Sequence, residues 1–423
     1  MRVLHTSDWH LGHTLRGEVT REPEHAAFLA WLLVACAAEA VDVLLVTGDV
    51  FDSATPPASA ERMWFDFLAA ARRARPAMDV VVIAGNHDSP ARLGAASAVL
   101  RALGVHVIGA LPRTAAGALD LERLLIPVGG GRGLVCAVPF LRPADLPPGL
   151  GDPGTPTDAL SVVYGEALAA ARAQRTVDQA LIVTGHLYVA GADTAYLSER
   201  RVAIGGVEAA SLRLFPDDLT YVALGHIHRA QRVGRDTIRY AGAPLPLALD
   251  EAGYKHQVVV VDIEGAHVTA VRGLPVPRTV EIVRVPARGA APLADVLAAL
   301  AALPPAIDDD PARPYLEVVV ALTRPEPRLR ALVEAALDGK RPRLVYLHVE
   351  HTGTGAALGD GPAVLRGATR LAELAPREVF TRLWERKHAE APTADVLAGF
   401  DRLLAEVAGD LGDLGDRTDP GAR

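Results

Sequence analysis

The sequence predicts a mixed α/β fold built in layers, with a β-sheet in the middle and helices outside. Over about the first 110 residues, short runs of Val, Ile and Leu alternate with longer stretches rich in Ala and Leu. Such near-continuous apolar runs are typical of buried strands, and the longer stretches carry apolar residues at helical spacing. The middle of the chain has more strand-like runs and fewer helical stretches.

The predicted elements of the first part alternate strand and helix in chain order: RVLHTSD, PEHAAFLAWLLVACAAEA, VDVLLVTGDVFD, PASAERMWFDFLAAARRA, MDVVVIAGNHDSP, LGAASAVLRALG and VHVIG. The predicted strands of the middle part are GLVCAVPF, QALIVTGHL, LTYVALGHIH, TIRYAGAP and HQVVVVDIEG, with one helix around SVVYGEALAAARAQR. Strands separated by helices in this way favour a sheet covered by helices.

A chain of 423 residues exceeds the usual size of one hydrophobic core, so two or three units are expected. The core is predicted to span residues 1–278 and to end in the Pro-rich passage GLPVPRT. Residues 279–352 predict a βαβαβ accessory domain of split-βαβ type. A Gly/Ala-rich linker (353–370), two amphipathic helices (371–410) and a polar tail (411–423) are expected to follow.

Composition limits the possible function classes. The net charge of −8 does not favour a nucleic-acid binder, which normally carries a basic face. Cys36 and Cys136 lie in apolar runs, which predicts buried reduced thiols and a cytoplasmic protein. We expect neither a signal peptide nor a membrane helix. No GxxxxGK[ST] string occurs, so we do not expect this chain to bind ATP itself.

Five short polar motifs follow apolar, strand-like runs. The carboxyl ends of parallel strands meet at one edge of a sheet, so residues far apart in sequence can converge there. Each motif alone predicts little, because a turn or a helix cap would account for it. All five in one order, each beside a glycine or a strand end, predict a metal site. Their polar residues are Asp8, His10, Asp49, Asp52, Asn86, His87, Asp88, His186, His226 and His228.

The residue types indicate which ions would bind. Carboxylate, amide and imidazole ligands without thiolate suit Mn, Fe or Zn in a working site better than a structural zinc. Two neighbouring ions need carboxylate to offset their charge. Glycines at the strand ends leave room for the backbone close to the ions; they are Gly48, Gly85, Gly185 and Gly225. His5, His13, His25 and His106 lack this context, and no role is predicted for them.

With the order DxH, GDxxD, GNHD, a lone His and GHxH, the sequence resembles the calcineurin-like metallophosphoesterases over roughly its first 250 residues. The strings TSDWHLGHTL, VTGDVFDSATPP, VIAGNHDSPARL, VALGHIHRAQ and YAGAPLPLALDEAGYKH resemble those of bacterial DNA-repair nuclease subunits. Ala241 and Ala243 depart from a family tendency toward Ser, but neither is a ligand. The resemblance implies a four-layer β-sandwich flanked by helices, a small α+β capping domain and C-terminal helices.

The resemblance also implies a role for each site residue. Asp8, His10 and His228 would hold one divalent ion, and Asn86, His186 and His226 would hold the other. Asp49 would bridge both ions, and Asp52 would line the site near the first. His87 would face the scissile phosphate without binding metal, oriented by Asp88. Mn is the favoured ion, with Mg, Fe or Zn as alternatives.

The implied function is a Mn-dependent DNA nuclease, a 3′–5′ exonuclease on double-stranded ends and an endonuclease on single-stranded or hairpin DNA. The implied partner is an SMC-like ATPase, with a homodimer of this chain inside a heterotetramer. Helices within 371–407 are predicted to dock the ATPase through Val379, Phe380, Leu383 and Trp384; packing on the chain's own capping domain is the alternative. Arginines near the motifs would form a local DNA patch, unless they are ordinary surface charge: Arg16, Arg21, Arg92 and Arg142.

Two other functions remain open from sequence. The first is a phosphatase or cyclic-nucleotide phosphodiesterase, because fold and metals do not determine the substrate. The chain after residue 278 argues against it, since a small-molecule hydrolase does not need that extra length. The second is a non-catalytic scaffold, against which the complete set of ligand types argues.

Overall fold

The structure is a computed structural model. It describes residues 1–17, 19–142, 145–146, 159–193, 209–310 and 312–351, and within the C-terminal part residues 380–381, 384–385, 390–393, 396–397 and 399–400.

The first part of the chain alternates strands with helices, as the sequence predicts. Its elements are β1 (Arg2–Thr6), β2 (Thr14–Leu15), β3 (Val19–Thr20), α1 (Glu22–Ala38), β4 (Val43–Thr47), α2 (Ala58–Ala74), β5 (Asp79–Ile83), α3 (Pro90–Gly94), α4 (Ser97–Ala102) and β6 (Val105–Ile108). One difference is that LGAASAVLRALG does not form one continuous helix. The short helix α3 ends at Gly94, and α4 begins at Ser97.

The middle part contains eight strands and one α-helix among the described residues. These are β7 (Leu125–Val128), β8 (Gly133–Ala137), α5 (Ala159–Gln174), β9 (Ala180–His186), β10 (Tyr221–Gly225), β11 (Gln231–Val233), β12 (Arg235–Tyr240), β13 (Gln257–Glu264) and β14 (His267–Pro275). A 3-10 helix, Leu249–Gly253, lies between β12 and β13.

Two six-stranded sheets form the core. The first has the order β14-β13-β1-β4-β5-β6 and the second the order β11-β12-β10-β9-β8-β7. Strands β1, β4, β5 and β6 are parallel to one another, as are β8, β9, β10 and β12. The strand ends that carry the polar motifs therefore point the same way within each sheet.

The two sheets pack face to face, and alternate residues of each strand enter different cores. Val3 of β1 lies in the core between the sheets with Ile182 of β9, whereas its neighbour Leu4 faces the helices α1 and α2. On the second sheet, Val183 of β9 faces the opposite way and packs against α5. This period of two produces the layers helix, sheet, sheet, helix. The four-layer sandwich implied by the resemblance is confirmed.

The accessory segment, which we call the cap, contains β15 (Ile282–Val285), β16 (Ala291–Pro292), α6 (Leu293–Ala301), β17 (Tyr315–Leu322), α7 (Leu329–Ala336) and β18 (Arg343–His351). The predicted β-α-β-α-β order is present. Strands β15 and β18 lie on either side of β17, and every strand pair is parallel. The expected split arrangement is wrong, because no strand separates the members of each βαβ unit. The α+β label is also wrong, because an all-parallel βαβαβ segment is α/β in type.

The chain divides into two compact units, 1–352 and 353–423. In the second unit, the predicted linker 353–370 and tail 411–423 lie outside the described residues, as do Val379 and Leu383 of the predicted docking stripe. The ring of Phe380 stacks on Phe400, with centroids 4.1 Å apart, and lies 5.8 Å from the ring of Trp384. The two C-terminal segments thus contact each other through aromatic side chains.

Two further predictions concern the thiols and the membrane. Cys36 and Cys136 are buried and free, and burial raises the pKa of each thiol to about 12. Neither is therefore a nucleophile at neutral pH. Over the described part of the chain, no helix combines the length and the apolar character that crossing a bilayer requires.

Candidate metal centre

The five polar motifs lie where parallel strands end in the two sheets. Asp8 and His10 follow β1, Asp49 follows β4, and Asn86 follows β5, all in the first sheet. The second sheet contributes the end of β9 and the segment after β10, namely His186, His226 and His228. The site therefore lies at one edge of the sandwich, and both sheets supply it.

The first group of ligand atoms comes from Asp8, His10 and His228. Their side-chain oxygen and nitrogen atoms all lie within 4.8 Å of one another, and all three residues are buried. The rings of His10 and His228 meet edge to face, with centroids 5.3 Å apart. This is the set predicted to hold one ion.

The second group comes from Asp49, His186 and His226, whose ligand atoms also lie within 4.8 Å of one another. The amide oxygen of Asn86 lies 3.0 Å from Nε2 of His186 and 2.9 Å from Nδ1 of His226. Oδ2 of Asp49 lies 3.2 Å from Nε2 of His186 and 3.6 Å from Nε2 of His10. Asp49 thus stands between the two groups, where a bridging ligand is expected.

Hydrogen bonds to the far side of the rings orient two of the histidines. Nδ1 of His186 donates to the carbonyl oxygen of Thr47 at 2.8 Å. Nδ1 of His228 donates to Oε1 of Glu251 at 2.8 Å. In each case Nε2 is the nitrogen left to face the centre, which is the arrangement that metal-binding histidines adopt.

One orphaned atom tests whether the residues fit divalent ions. Within the described ranges, Nε2 of His10 is buried and has no hydrogen-bond partner. A buried polar atom without a partner is costly. This nitrogen faces Asp49, and an ion between them would satisfy both. The donor set, carboxylate plus imidazole plus amide oxygen, also suits divalent transition ions. The residues therefore fit a pair of such ions.

The backbone at the ligands is strained. Asp8, His10, Asp49 and His226 have positive φ angles of 54°, 47°, 48° and 95°. Residues other than glycine rarely adopt this region, and each such case costs of order 1–3 kcal/mol. Around these four residues, hydrogen bonds such as His226 N–H to Oδ1 of Asp8 (3.0 Å) hold the conformation.

Close packing explains two of the predicted glycines. A Cβ atom at Gly48, which itself has a φ of +92°, would lie 2.2 Å from Nδ1 of His186. A Cβ atom at Gly85 would lie 2.1 Å from Oδ1 of Asp49. Either methyl group would displace a ligand, so both positions require glycine.

The electrostatics separate the histidines into two kinds. Burial alone would lower the pKa of His186, but the charge of Asp49 and its hydrogen bond raise it to about 9. The pKa of Asp49 lies well below its usual range, because His186 outweighs the opposing effect of burial. Burial lowers the pKa of His226 to about 3 and also lowers that of His10. Without ions, His186 is therefore the protonated histidine of the set.

His87 and Asp88 do not interact as expected. Nδ1 of His87 bonds the main-chain oxygen of Asp52 at 2.8 Å, and its ring is exposed beside His10. The buried Asp88 carboxylate instead accepts backbone N–H bonds, at 2.8 Å from Gly85 and at 2.9 and 3.2 Å from Phe51 and Val50. The expectation that Asp88 orients His87 is therefore wrong; Asp88 joins two ligand loops. Burial raises the pKa of Asp88 to about 6.

The structure adds two residues to those predicted from the sequence. His13 was given no role, yet its Nδ1 lies 2.9 Å from Oδ1 of Asp52 and its Nε2 lies 3.1 Å from the carbonyl oxygen of Leu247. Asp52 also lies 3.2 Å from Nδ1 of His10. Glu251 was not considered. The string HLGH contains His13 beside a ligand, but no sequence signal links Glu251 to His228.

The remaining histidines without a predicted role are not ligands in the two groups. His5 is buried between the sheets and bonds Tyr221 and Thr47, each at 3.0 Å. His25 is buried on α1, and His106 lies on β6. For these three the sequence prediction agrees with their positions.

The predicted arginine patch is mostly wrong. Arg21 is buried, pairs with Glu24 and donates to the carbonyl oxygen of Pro246 at 2.7 Å, so it cannot contact DNA. Arg142 donates to the main-chain oxygens of Gly85 and Asp88.

Arg92 is exposed and pairs with Glu61 on α2. Arg16 alone of the four lines the cleft over the metal centre, where its guanidinium lies 3.7 Å from the ring centroid of Tyr346 in the cap. This cleft has a volume of about 260 Å³. Its walls combine site histidines, an apolar side and one cation, and the lining residues are His10, His13, Leu15, Arg16, Asp52, His87, His228, Leu247, Ala248 and Leu249.

Comparisons with known proteins agree with this site. The calcineurin-like phosphoesterase family matches residues 1–230, which is more than half of the chain and includes all the ligands described above. A second family, described as the Type 5 capsule protein repressor C-terminal domain, matches residues 278–388. That match begins at the boundary where the sequence predicts the core to end.

Three curated proteins similar to this chain share one description, which names each of them as the same component of the nuclease SbcCD. The Rhodobacter capsulatus protein is 43% identical over 381 residues, covering 87% of this chain and 92% of its own length. The Bacillus subtilis protein is 38% identical over 269 residues, covering 62% and 66%. The Escherichia coli K12 protein is 37% identical over 288 residues, covering 66% and 69%.

Proposed function

This chain belongs to the calcineurin-like phosphoesterase family, and on that premise we propose that it is a Mn-dependent DNA nuclease subunit that works with an SMC-like ATPase. The observation that carries the proposal is the convergence of two three-residue ligand groups on Asp49. The name shared by its relatives supports nuclease activity and a two-component complex. In this proposal residues 1–278 are the nuclease core and 279–352 its cap.

A pair of divalent ions, when bound, supplies Lewis-acid activation of a phosphodiester and of the attacking water. The ligands proposed for one ion are Asp8, His10 and His228, those for the other are Asn86, His186 and His226, and Asp49 is shared. The ligands are held by bonds that exist without ions, such as the one from His186 to Thr47. Preorganisation of this kind lowers the cost of assembling the reactive geometry.

His87 is proposed as the catalytic residue that handles the proton. Its ring is exposed beside the first ligand group, and Nδ1 is occupied by the Asp52 carbonyl oxygen. Nε2 is therefore the nitrogen that faces a substrate. In its imidazolium form, His87 would donate the Nε2 proton to the 3′ oxygen as that oxygen leaves phosphorus. General acid catalysis of this type contributes about 10²–10⁴-fold.

Arg16 is proposed to hold a phosphate of the DNA backbone next to the scissile one. It lines the cleft, and its stacking on Tyr346 orients the guanidinium plane without using its in-plane donors. The acidic net charge leaves little other attraction for DNA. Affinity would come from the ions, from Arg16 and from the ATPase partner.

The remaining parts of the proposal concern assembly and location. We propose a homodimer of this chain within a heterotetramer, with Val34 of α1 (68% exposed) and Phe65 of α2 (43% exposed) as apolar surface for self-association. A cytoplasmic location suits its free, buried thiols.

A substrate comparison tests the proposed function. Purified chain with Mn²⁺ is given duplex DNA with free ends, hairpin DNA, single-stranded DNA and a cyclic nucleotide, with and without the ATPase partner and ATP. The proposal expects cleavage of duplex ends and hairpins, with ATP mattering only when the partner is present. Hydrolysis of the cyclic nucleotide alone would identify a small-molecule phosphodiesterase, and no hydrolysis of any substrate in the full complex would identify a scaffold.

A further inference from the structure

A buried acid lies directly behind one of the proposed metal ligands. Glu251 belongs to the 3-10 helix between β12 and β13, and none of its surface is exposed. Oε1 accepts the Nδ1 proton of His228 at 2.8 Å, and Oε2 accepts the backbone N–H of Leu247 at 2.8 Å. The carboxylate therefore joins the ligand to the loop on which Glu251 itself lies.

Burial of a carboxylate is costly unless hydrogen bonds compensate it. Here the compensation comes partly from a proposed metal ligand, so the acid and the ligand position each other. A carboxylate bonded to Nδ1 of a histidine fixes the ring orientation, keeps the proton off Nε2 and makes Nε2 a stronger donor to a metal.

The loop that carries Glu251 is held in turn by the core. The carbonyl oxygen of Pro246 accepts a bond from Arg21 at 2.7 Å, and that of Leu247 lies 3.1 Å from Nε2 of His13. Both contacts reach the short segment whose backbone N–H binds Glu251. Movement of Arg21 would therefore shift the support of Glu251.

Arg21 is part of a buried group that includes the cap. Its guanidinium makes two parallel bonds to the carboxylate of Glu24, which also accepts the hydroxyl proton of Tyr315 on β17. The guanidinium of Arg343 on β18 lies 4.6 Å from the ring centroid of Tyr315. One continuous set of contacts thus runs from the cap through Glu24 and Arg21 to the loop of Glu251.

We propose that Glu251 is a positioning residue for His228 and that Tyr315 of the cap extends this support, so that the cap contributes to ion affinity at the Asp8/His10/His228 site. The inference rests on the proposed function only through the two-ion centre. It predicts a difference between the two ions, because the ring of His186 at the other site is fixed by the Thr47 carbonyl oxygen within the sandwich.

The first experiment measures Mn²⁺ affinity by calorimetry on the full chain, with one ion site removed at a time. Asn86→Ala leaves the Asp8/His10/His228 site, and Asp8→Ala leaves the other. Glu251→Gln is then added to each. A glutamine keeps the shape, but its amide has one acceptor where the carboxylate uses two, so one of the two bonds is lost.

We expect Glu251→Gln to weaken Mn²⁺ binding about 10- to 100-fold in the Asn86→Ala background, the size of effect that loss of such an outer contact has elsewhere. In the Asp8→Ala background the affinity should not change. Equal weakening in both backgrounds would show general loosening of the fold and would overturn the proposal, as would no weakening in either.

The second experiment removes only the hydroxyl of the cap residue. Tyr315→Phe keeps the ring beside Arg343 but loses the bond to Glu24, and we expect Mn²⁺ affinity in the Asn86→Ala background to fall about three- to tenfold, as for one hydrogen bond. Glu350→Gln, on the exposed end of β18, is the matched control and should leave affinity unchanged. If Tyr315→Phe binds Mn²⁺ as tightly as its parent, the role of the cap is refuted.

These measurements separate the inference from the proposed function. A chain that binds two Mn²⁺ ions and cleaves DNA, yet is insensitive to Glu251→Gln, loses only the inference. A chain that binds two ions with the expected dependence on Glu251, yet cleaves no DNA, loses only the proposed substrate. Thermal unfolding of each variant with EDTA shows that the fold itself is retained.

Discussion

Oδ2 of Asp49 lies 3.2 Å from Nε2 of His186, although the two residues follow strands of different sheets. Oδ1 of the same carboxylate accepts the backbone N–H of His87 at 2.8 Å. Asp49 thus links the two sheets and the loop that carries His87. Its charge holds the ligand set together before any ion binds.

Replacing Asp49 by asparagine should remove the ions. Asp49→Asn keeps the acceptor for His87 N–H but loses the charge that two cations share. We expect metal content to fall from two Mn per chain to less than one, and cleavage to fall by at least about 10³-fold, since the ions supply several kcal/mol. Elemental analysis after gel filtration checks this. Asp66→Asn, on the exposed face of α2, is the control; two ions retained in Asp49→Asn would disprove the bridging role.

Replacing His87 by alanine should separate metal binding from chemistry. We expect His87→Ala to retain two Mn per chain and to lose cleavage by about 10²–10⁴-fold in kcat, with little change in KM. The ligand atoms of His87, His10 and Asp49 lie within 4.8 Å of one another, so a ligand role is the competing explanation. Loss of an ion from His87→Ala would favour that explanation.

The pH dependence of metal binding follows from His186. Its pKa of about 9 in the ion-free site means that the ring carries a proton at neutral pH, which an ion must displace. His10 and His226, with lowered pKa values, have none to lose. Affinity for Mn²⁺ should therefore rise with pH up to about 9 and then level off. Calorimetry at pH 7.5 in buffers of different ionisation enthalpy should show about one proton released per chain; release of none would contradict the proposed protonation of His186.

The role of Arg16 predicts a specific defect in DNA binding. Arg16→Ala should weaken DNA binding and reduce the slope of log Kd against log salt by about one, the loss of one phosphate contact. Metal content should not change. Arg92→Ala is the matched control, because Arg92 is paired with Glu61 outside the cleft. Equal effects of the two substitutions would indicate a diffuse charge effect instead of a contact.

Removal of residues 370–423 should prevent assembly with the ATPase partner. We expect the truncated chain to keep both ions and its fold, because the ligands all precede residue 230 and residues 1–352 form one compact unit. Co-purification of a tagged ATPase with the truncated chain measures the loss. A complex that survives the truncation would place the docking surface elsewhere.

The sequence predicted the ligands well because each follows a strand. In Gly48-Asp49 and Gly225-His226 the apolar strand, the glycine and the polar residue are adjacent, so local pattern and parallel pairing were enough to bring them together. The sandwich itself was less accessible. Residues alone predicted one sheet layer, and only the family resemblance implied two.

The errors concern contacts between distant segments. Arg21 and Glu24 look like surface charges in sequence, yet both are buried, and Glu24 meets Tyr315 of the cap. The 23-residue separation of His228 and Glu251 gives no periodic signal. Asp88 adjoins His87 in sequence, yet its carboxylate turns to the backbone at Val50 and Phe51. Side-chain direction at such turns depends on local φ angles, which sequence patterns do not supply.

The supply of ligands by both sheets has a consequence for synthesis of the protein. The first five motif residues, through Asn86, are made early and can assemble into the first sheet, but His226 and His228 are added only after the strand β10. A ribosome-bound chain shorter than this has an incomplete ligand set. Cleavage activity should therefore arise only late in translation, so that the growing polypeptide is harmless to nearby nucleic acid until its second sheet is complete.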